Sequence, residues 1–314
     1  MAQSSNLPHG VALKTASVDG SVPVAVPDTR RRVYGDFLAL TKPRVNLLVL
    51  ITTLIGFHLG TFGPIDIVLL VHTVMGTALV AGAAAALNQV LECDSDRLMR
   101  RTRARPLPAG RLGMRQASWF AMVLAMVGLV QLALGANPLA ALVAFATIAS
   151  YALVYTPLKS RTSLATVIGA VPGALPPMIG WAAATGGLSI EAWVLFAIVF
   201  FWQMPHVLAI SWMYREDYER GGIRVLPVEE PDGASTSRQT VSYAAVLVPV
   251  TLLPAVVGLT GGVYVVGALV LGLGILALAI AFARDRTAAH ARRLFFASLL
   301  YLPVLWVLML ADRT

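Results

Sequence analysis

The chain contains one cysteine and few charged side chains. Cys93 is the only cysteine, which excludes an internal disulfide and offers no metal-site spacing. Charged residues make up 13% of the 314 residues and hydrophobic residues 57%, proportions that exclude an ordinary soluble domain. The acids on either side of Cys93 disfavour a reactive thiolate, so we expect it to be a small packing residue. The composition predicts a membrane protein.

Strand-like alternation of polar and apolar residues is also absent, which excludes a membrane barrel. Apolar windows of about 18 to 25 residues recur instead, and each can cross a hydrocarbon core about 30 Å thick. Irregular backbone cannot face lipid, so these windows predict helices. We expect an all-α fold with nine transmembrane helices, at residues 45–63, 66–90, 117–136, 138–157, 163–184, 189–213, 240–259, 262–283 and 294–311.

Lysine and arginine are missing from every second loop. Of the 24 basic residues, 23 precede the first span or follow an even-numbered span, and Arg313 is the exception. This bias predicts a multi-pass protein of the cell membrane with its N-terminus in the cytoplasm, its C-terminus outside and its active site on the cytoplasmic side. The net charge of +8 follows from this topology, and we do not interpret it as nucleic-acid binding.

The N-terminus lacks the long apolar core of a signal peptide. Residues 1–33 are polar and turn-rich, so we expect a flexible cytoplasmic tail. Residues 34–314 are expected to form a single nine-helix membrane domain.

A polar stretch follows the second span and combines acids with a run of arginines. Asn88, Glu92 and Asp96 are four residues apart, which puts three oxygen ligands on one face of a helix. Mg²⁺ prefers such ligands and is often completed by substrate phosphates. Arg100 and Arg105 follow, and guanidinium groups bind phosphate oxygens in pairs. The stretch predicts a diphosphate–magnesium site at a membrane surface.

A second polar cluster, residues 212–222, follows the sixth span on the same side of the membrane. It again mixes acids with arginine, at Arg215, Glu216 and Asp217. Two such loops facing each other could hold metal ions on either side of a diphosphate. The alternative for this cluster is an ordinary solvated loop.

These motifs resemble the UbiA-type intramembrane prenyltransferases from about residue 33 to the end of the chain. The matching segments are LTKPRV at 40–45, the Asn88 to Asp96 motif with RPL at 105–107, YTPLK at 155–159, WQMPH at 202–206 and REDY at 215–218. The WQMPH segment resembles the branch of the family that modifies heme. Glu92 in the first motif, and a second motif reduced to Glu216 and Asp217, also fit that branch.

The resemblance implies a Mg²⁺-dependent transfer of the farnesyl group of farnesyl diphosphate to a vinyl group of protoheme IX (heme b), giving heme O. It implies metal ligands at Asn88, Glu92, Asp96, Glu216 and Asp217, with Lys159, Tyr155 and Asp217 also in catalysis. The implied substrate contacts are Lys42, Arg44, Asn46, Arg100, Arg105, Tyr151, Trp202, His206 and Arg215. The implied partners are the lipid bilayer and a downstream heme-modifying enzyme.

Two groups within the spans add chemistry to this interpretation. Tyr151, Tyr155 and Lys159 recur every four residues, so an aromatic ring could face the farnesyl cation and the ammonium the phosphate. His206 follows Pro205 inside the sixth span, where ionisable side chains are rare and usually functional. Its role is heme contact or proton handling, or alternatively that of a hydrogen-bonded packing histidine.

Two other functions remain open at this point. One is a UbiA-type enzyme that prenylates a quinone precursor or a chlorin. The other is a transporter, because acids and arginines in membrane helices also mark ion paths. A transporter should carry charges through the depth of the bilayer, whereas these cluster at one surface.

Overall fold

The computed structural model describes residues 29–314, with side chains described from Val33. The predicted tail therefore lies outside the described residues, except for 29–33, which belong to the first helix. Sixteen α-helices occur in the described part of the chain: α1 (Thr29–Leu40), α2 (Pro43–Gly60), α3 (Ile67–Leu91), α4 (Cys93–Leu98), α5 (Met114–Gly135), α6 (Pro138–Ala149), α7 (Thr156–Leu158), α8 (Ala165–Ala174), α9 (Pro176–Thr185), α10 (Ile190–Met213), α11 (Arg215–Arg220), α12 (Leu226–Glu229), α13 (Ala234–Val250), α14 (Leu253–Val256), α15 (Gly262–Asp285) and α16 (Ala288–Ala311). A π-helical segment, Ser150–Tyr155, joins α6 to α7.

The prediction of an all-α fold with nine spans is confirmed. Within residues 29–314, nine helical stretches are long and apolar enough to cross a membrane: α2, α3, α5, α6 to α7, α8 to α9, α10, α13 to α14, α15 and α16. The predicted and observed boundaries differ most at the starts of α13 and α16, which begin six residues before the predicted 240 and 294. Polar and basic residues occupy those first turns, where long side chains can reach the membrane surface.

Local sequence explains where several spans begin. Pro43, Pro138 and Pro176 each stand in the first turn of a helix, where a missing N–H costs no hydrogen bond. At the start of α3, the Asp66 carboxylate accepts a hydrogen bond from the backbone N–H of Leu69 at 3.0 Å. Such caps satisfy donors that a helix start leaves without a partner.

Glycine permits the closest helix crossing, between α2 and α9. A Cβ atom on Gly56 would lie 1.9 Å from the Pro177 carbonyl oxygen, and one on Gly180 would lie 1.9 Å from the Thr53 carbonyl oxygen. Small residues at membrane-helix interfaces allow backbones to approach in this way. The fifth span is thereby fixed against the first.

The remaining packing divides the bundle into neighbouring groups. The helix α3 packs on α5, while α10 packs on α13 and α16. At the end of the bundle away from the basic loops, Arg313 donates hydrogen bonds to the carbonyl oxygens of His58 (2.8 Å) and Thr61 (2.6 Å), which joins the chain end to the end of α2. At the other end, Cys93 is buried against Leu40, and burial raises the pKa of its thiol.

Candidate active site

A cavity of about 180 Å³ lies at the end of the bundle that carries the basic loops. We call it the polar cavity. It is lined by eight of the predicted site residues: Lys42, Asn88, Glu92, Asp96, Arg105, Tyr151, Tyr155 and Lys159. These eight residues come from three separate segments of the sequence, which therefore meet at one place.

The first acidic motif is not a single helix, although its three side chains face the same cavity. The helix α3 ends at Leu91, Glu92 forms the junction, and α4 begins at Cys93. The backbone N–H of Glu92 still donates to the Asn88 carbonyl (3.0 Å), and that of Asp96 donates to the Glu92 carbonyl (2.8 Å). These bonds preserve the four-residue register across the junction, so the predicted stripe survives the break.

Each member of this motif is paired with one cation of the chain. Lys42 donates to the Asn88 amide oxygen at 3.1 Å. The Lys159 ammonium lies 2.6 Å from Glu92, and the Arg105 guanidinium lies 2.7 Å from Asp96. Three groups suited to a metal thus face three groups suited to a phosphate.

Lys42 is held in an unusual environment. Its φ of 46° is in the left-handed region, which a residue with a side chain adopts only when its surroundings enforce it. Burial, together with the nearby Arg105 and Lys159 cations, lowers the pKa of Lys42 to about 8. For Lys159, burial acts against the charge, but the Tyr155 and Tyr151 side chains and the Glu92 carboxylate raise its pKa above the ordinary value.

The oxygen atoms of the first motif fit a hard divalent cation. Asp96 is 1% exposed, and its Oδ1 has no hydrogen-bond partner among the described residues. Within that part of the chain no cluster of three His, Cys, Asp or Glu residues occurs, so a metal here would depend on one or two carboxylates and an amide. Mg²⁺ is commonly held in that way when substrate phosphates complete its shell.

The π-helical segment aligns the aromatic residues of the cavity. The hydroxyl of Thr156 donates to the Tyr151 carbonyl, five residues earlier, at 2.8 Å. The rings of Tyr151 and Tyr155 lie 5.3 Å apart, and the Lys159 ammonium lies 4.3 Å from the centre of the Tyr155 ring. π-helical turns often occur at functional sites, and here the turn stacks the predicted stripe over the cavity.

A second space continues from the polar cavity into the bundle. This apolar chamber, of about 310 Å³, shares Lys42, Arg105 and Tyr151 with the polar cavity. Most of its other walls are small or apolar residues of α2, α3, α8 and α9, and Asn46 and Thr147 are the other polar side chains there. Asn46 donates to the Thr41 carbonyl at 2.6 Å. The combined space suits a molecule with an anionic head and an apolar tail.

The acids of the second loop, Glu216 and Asp217, do not line the polar cavity. The two oxygens of Asp217 accept hydrogen bonds from the backbone N–H groups of Arg100 (3.2 Å) and Arg101 (3.3 Å), and Asp217 also pairs with Arg220. Although burial opposes it, these bonds hold the pKa of Asp217 below its ordinary value. The carboxylate connects the two loops instead of facing the first motif.

Other predicted residues of the second loop lie beside Asp217. Arg100, Arg215, Glu216 and Asp217 all line a separate neighbouring cavity. Arg44 is exposed and lines none of the cavities described here. The acids of the two loops therefore line different cavities, the first motif the polar cavity and the second loop its neighbour.

Trp202 and His206 lie deeper, where α10 packs on α16. The Trp202 indole donates to the Ser298 carbonyl at 2.8 Å. The Ser298 hydroxyl donates its one hydrogen to the Phe295 carbonyl at 2.7 Å. The His206 Nδ1 lies 2.8 Å from the same hydroxyl oxygen, so Nδ1 must carry the hydrogen and donate it to Ser298. This tautomer leaves the lone pair of Nε2 available on a half-buried imidazole.

Comparison with known proteins identifies the family. The model of the UbiA prenyltransferase family matches residues 49–300. The chain belongs to this family. It is 50% identical over 287 residues to the protoheme IX farnesyltransferase of Solibacter usitatus, covering 88% of this chain and 98% of that relative. It is 42% identical over 303 residues to the protoheme IX farnesyltransferase of Koribacter versatilis, covering 93% and 98%.

Solved structures of UbiA proteins share the fold. A digeranylgeranylglyceryl phosphate synthase aligns with a TM-score of 0.76 at 16% identity, over 89% of this chain and 98% of the other. A UbiA homolog from Archaeoglobus fulgidus bound to GPP and Mg²⁺ aligns with a TM-score of 0.62 at 16% identity, over 87% and 99%. This UbiA-family chain is a multi-pass membrane protein.

Six further polar residues line the polar cavity of this UbiA-family site and were not among the predicted site residues: Arg101, Thr102, Thr166, Ser211, Tyr218 and Arg224. Arg101 lies in the arginine run, and its guanidinium is 5.0 Å from the centre of the Tyr214 ring and 5.5 Å from that of Tyr218. Arg224 donates its backbone N–H to the Lys159 carbonyl at 2.8 Å. The sequence carried a signal for Arg101 and Thr102, which lie in the first motif, and for Tyr218 of the REDY segment, whereas the remaining residues come from segments without a motif.

Proposed function

We propose that this UbiA-family protein transfers the farnesyl group of farnesyl diphosphate to a vinyl group of protoheme IX and forms heme O. The observation that carries the proposal is a continuous space: the polar cavity, with its three cations at a membrane surface, adjoins the apolar chamber. That space matches a diphosphate head and an isoprenoid tail. Protoheme IX is proposed as the acceptor because relatives that align over nearly their whole length are protoheme IX farnesyltransferases.

Lys42, Lys159 and Arg105 are proposed to bind the diphosphate. The C–O bond of farnesyl diphosphate breaks and its electron pair leaves with the diphosphate, whose growing charge these cations offset. Asn88, Glu92 and Asp96 are proposed to hold Mg²⁺, which when bound supplies further neutralisation of the leaving group. Asp217 is proposed to act indirectly, by fixing the backbone of the loop that carries Arg101.

The rings of Tyr151 and Tyr155 are proposed to face the allylic cation, since aromatic faces attract positive charge. The apolar chamber keeps water from the cation until the vinyl carbon has attacked its terminal carbon. The new carbocation on the heme side then takes up a hydroxyl from water and releases a proton. The product, heme O, would be available to a downstream heme-modifying enzyme.

The proposed orientation places this chemistry on the cytoplasmic side of the cell membrane. The positive-inside bias of the sequence supports a cytoplasmic N-terminus and an outer C-terminus. Residues 34–314 are proposed to form one membrane domain, consistent with the single continuous bundle.

The proposal is tested with membranes that contain the protein, heme, farnesyl diphosphate and Mg²⁺, and farnesylated heme is sought by mass spectrometry. Asp96→Asn should lose most turnover while the protein still inserts and binds heme. Asp94→Asn is the matched control, because Asp94 lies on the same short helix with its side chain 96% exposed. Absence of the product with the unaltered protein, or equal losses in both variants, would contradict the proposal.

A further inference from the structure

A charged cavity that the proposed reaction does not use lies beside the second acidic loop. It has a volume of about 360 Å³ and is lined by Arg100, Arg215, Arg220 and Arg286. We call it the arginine cavity. It opens at the same end of the bundle as the polar cavity.

The arginine cavity retains unsatisfied positive charge. Asp217 pairs with Arg220, and Arg286 donates to the Asp232 carbonyl at 2.9 Å. Arg100 and Arg215 form no ion pair within residues 33–314. The exposed Glu216 is the remaining acid of the lining, so cations outnumber acids and two guanidinium groups are open to an anion.

Neighbouring residues of the chain line the arginine cavity and the polar cavity in turn. Arg100 lines the arginine cavity, whereas its neighbour Arg101 lines the polar cavity. Asp217 and Tyr218 are divided between the cavities in the same way, and Asp217 holds the backbone N–H groups of both arginines. A ligand in the arginine cavity would therefore lie next to the proposed diphosphate site.

Two helix faces lead from the arginine cavity to His206. Met213 on α10 and Ala288 on α16 line the cavity. His206 lies seven residues before Met213, and Phe295, whose ring is 5.0 Å from that of His206, lies seven residues after Ala288. Seven residues are nearly two turns, so each pair shares a face and is separated by about 10 Å along the axis.

We propose that the arginine cavity binds the two propionate carboxylates of the heme acceptor, with the macrocycle lying along these helix faces toward His206. This inference rests on the proposed function. Guanidinium groups bind carboxylates through paired, charge-assisted hydrogen bonds. The ionised propionates stay at the membrane surface, while the apolar ring enters the bundle and the free Nε2 of His206 faces its iron. The propionates fix which edge of the ring approaches the polar cavity.

The test compares heme with its dimethyl ester, in which both propionates are uncharged. Affinities are measured by absorption titration of the purified full chain and of the double variant Arg100→Gln/Arg215→Gln. The unaltered protein should bind heme more tightly than the ester, by roughly tenfold for each guanidinium–carboxylate pair. The double variant should bind heme and ester alike, with the ester affinity unchanged.

The matched control is Arg103→Gln/Arg293→Gln, which removes two exposed arginines from the same end of the bundle that line neither cavity. It should keep the preference for heme. Unchanged binding of farnesyl thiodiphosphate by every variant shows that the proteins are folded.

Three results would overturn the inference. The first is that the preference for heme over the ester persists in the Arg100/Arg215 variant, and the second is that the control variant loses this preference equally. Alternatively, the Arg100/Arg215 variant loses only a preference for phosphatidylglycerol over phosphatidylcholine nanodiscs, which assigns the cavity to a lipid phosphate. If the unaltered protein makes no farnesylated heme, the proposed function itself fails, and that assay is independent of the heme and ester comparison.

Discussion

Magnesium binding to the chain alone should be weak, because its proposed ligands are already occupied by cations. Glu92 pairs with Lys159 at 2.6 Å, and the two side chains are only 12% and 16% exposed. A Mg²⁺ ion that takes Glu92 must leave the Lys159 ammonium without its partner. A bound diphosphate would accept that ammonium, so diphosphate and Mg²⁺ should strengthen each other's binding.

The size of this coupling follows from the burial of the pair. Removing one partner of a buried ion pair costs about 3–5 kcal/mol. The lower value applies here, because Glu92 gains a metal and only Lys159 is left unpaired. With about 1.4 kcal/mol for each factor of ten, a cost of about 3 kcal/mol weakens Mg²⁺ binding roughly a hundredfold in the absence of diphosphate.

The decisive variant is Lys159→Gln, measured by isothermal titration calorimetry with Mg²⁺, with and without farnesyl thiodiphosphate. The variant should bind Mg²⁺ alone more tightly than the unaltered protein and the thiodiphosphate more weakly, and the coupling between them should fall to a few-fold. A titration of the thiodiphosphate with Mg²⁺ in buffer corrects for their complex in solution.

Arg161→Gln is the control, because it removes an exposed charge from the same loop without touching Glu92. It should change Mg²⁺ affinity only slightly. If Lys159→Gln fails to tighten Mg²⁺ binding beyond this control, the ion pair does not compete with the metal and the reasoning is refuted.

Three further predictions follow from single features of the structure. Because the pKa of Lys42 is lowered to about 8, Lys42 loses its charge above that pH. The affinity for the thiodiphosphate should therefore fall by up to about tenfold per pH unit above 8, and Lys42→Arg should remove this fall. A flat pH profile for the unaltered protein would contradict this prediction. Gly56→Ala should destabilise the protein by about 1–3 kcal/mol or more in a thermal unfolding assay, because its Cβ would overlap the Pro177 carbonyl oxygen, whereas Gly187→Ala, with open space around it, should be neutral. In a Cys93→Ala background, a cysteine at position 62 should react with an impermeant reagent from outside and one at position 103 only from inside; the reverse pattern would disprove the topology.

The transmembrane spans were predictable because each depends on a local property of the sequence. About 20 apolar residues identify a span wherever it packs. The break at Glu92 within the stretch from Asn88 to Asp96 was not predictable in this way, since that stretch contains no proline or glycine. The π-helical turn at Ser150–Tyr155 was likewise hidden, because its residues are as apolar as those of an ordinary helix.

The candidate site was predictable where one segment carries several of its residues. The spacing of Asn88, Glu92 and Asp96 identified the polar cavity from one stretch of chain. The contacts of Asp217 were not predictable, because a carboxylate's partners depend on the fold, and here they include backbone N–H groups more than 100 residues away. Sequence spacing gives no information about such contacts.

The glycine crossing between α2 and α9 also constrains how the protein is made. Gly56 and Gly180 are 124 residues apart, so the first span leaves the ribosome long before its closest partner exists. Until the fifth span has been inserted, the small-residue groove of α2 faces lipid or the insertion machinery without the helix that fills it. Lys42 lies immediately before α2, so the position of its side chain at the polar cavity depends on how α2 is packed. Maturation of the catalytic end therefore depends on a late event in biosynthesis, and a slowly inserted fifth span would leave a fully translated but inactive enzyme exposed to membrane proteases.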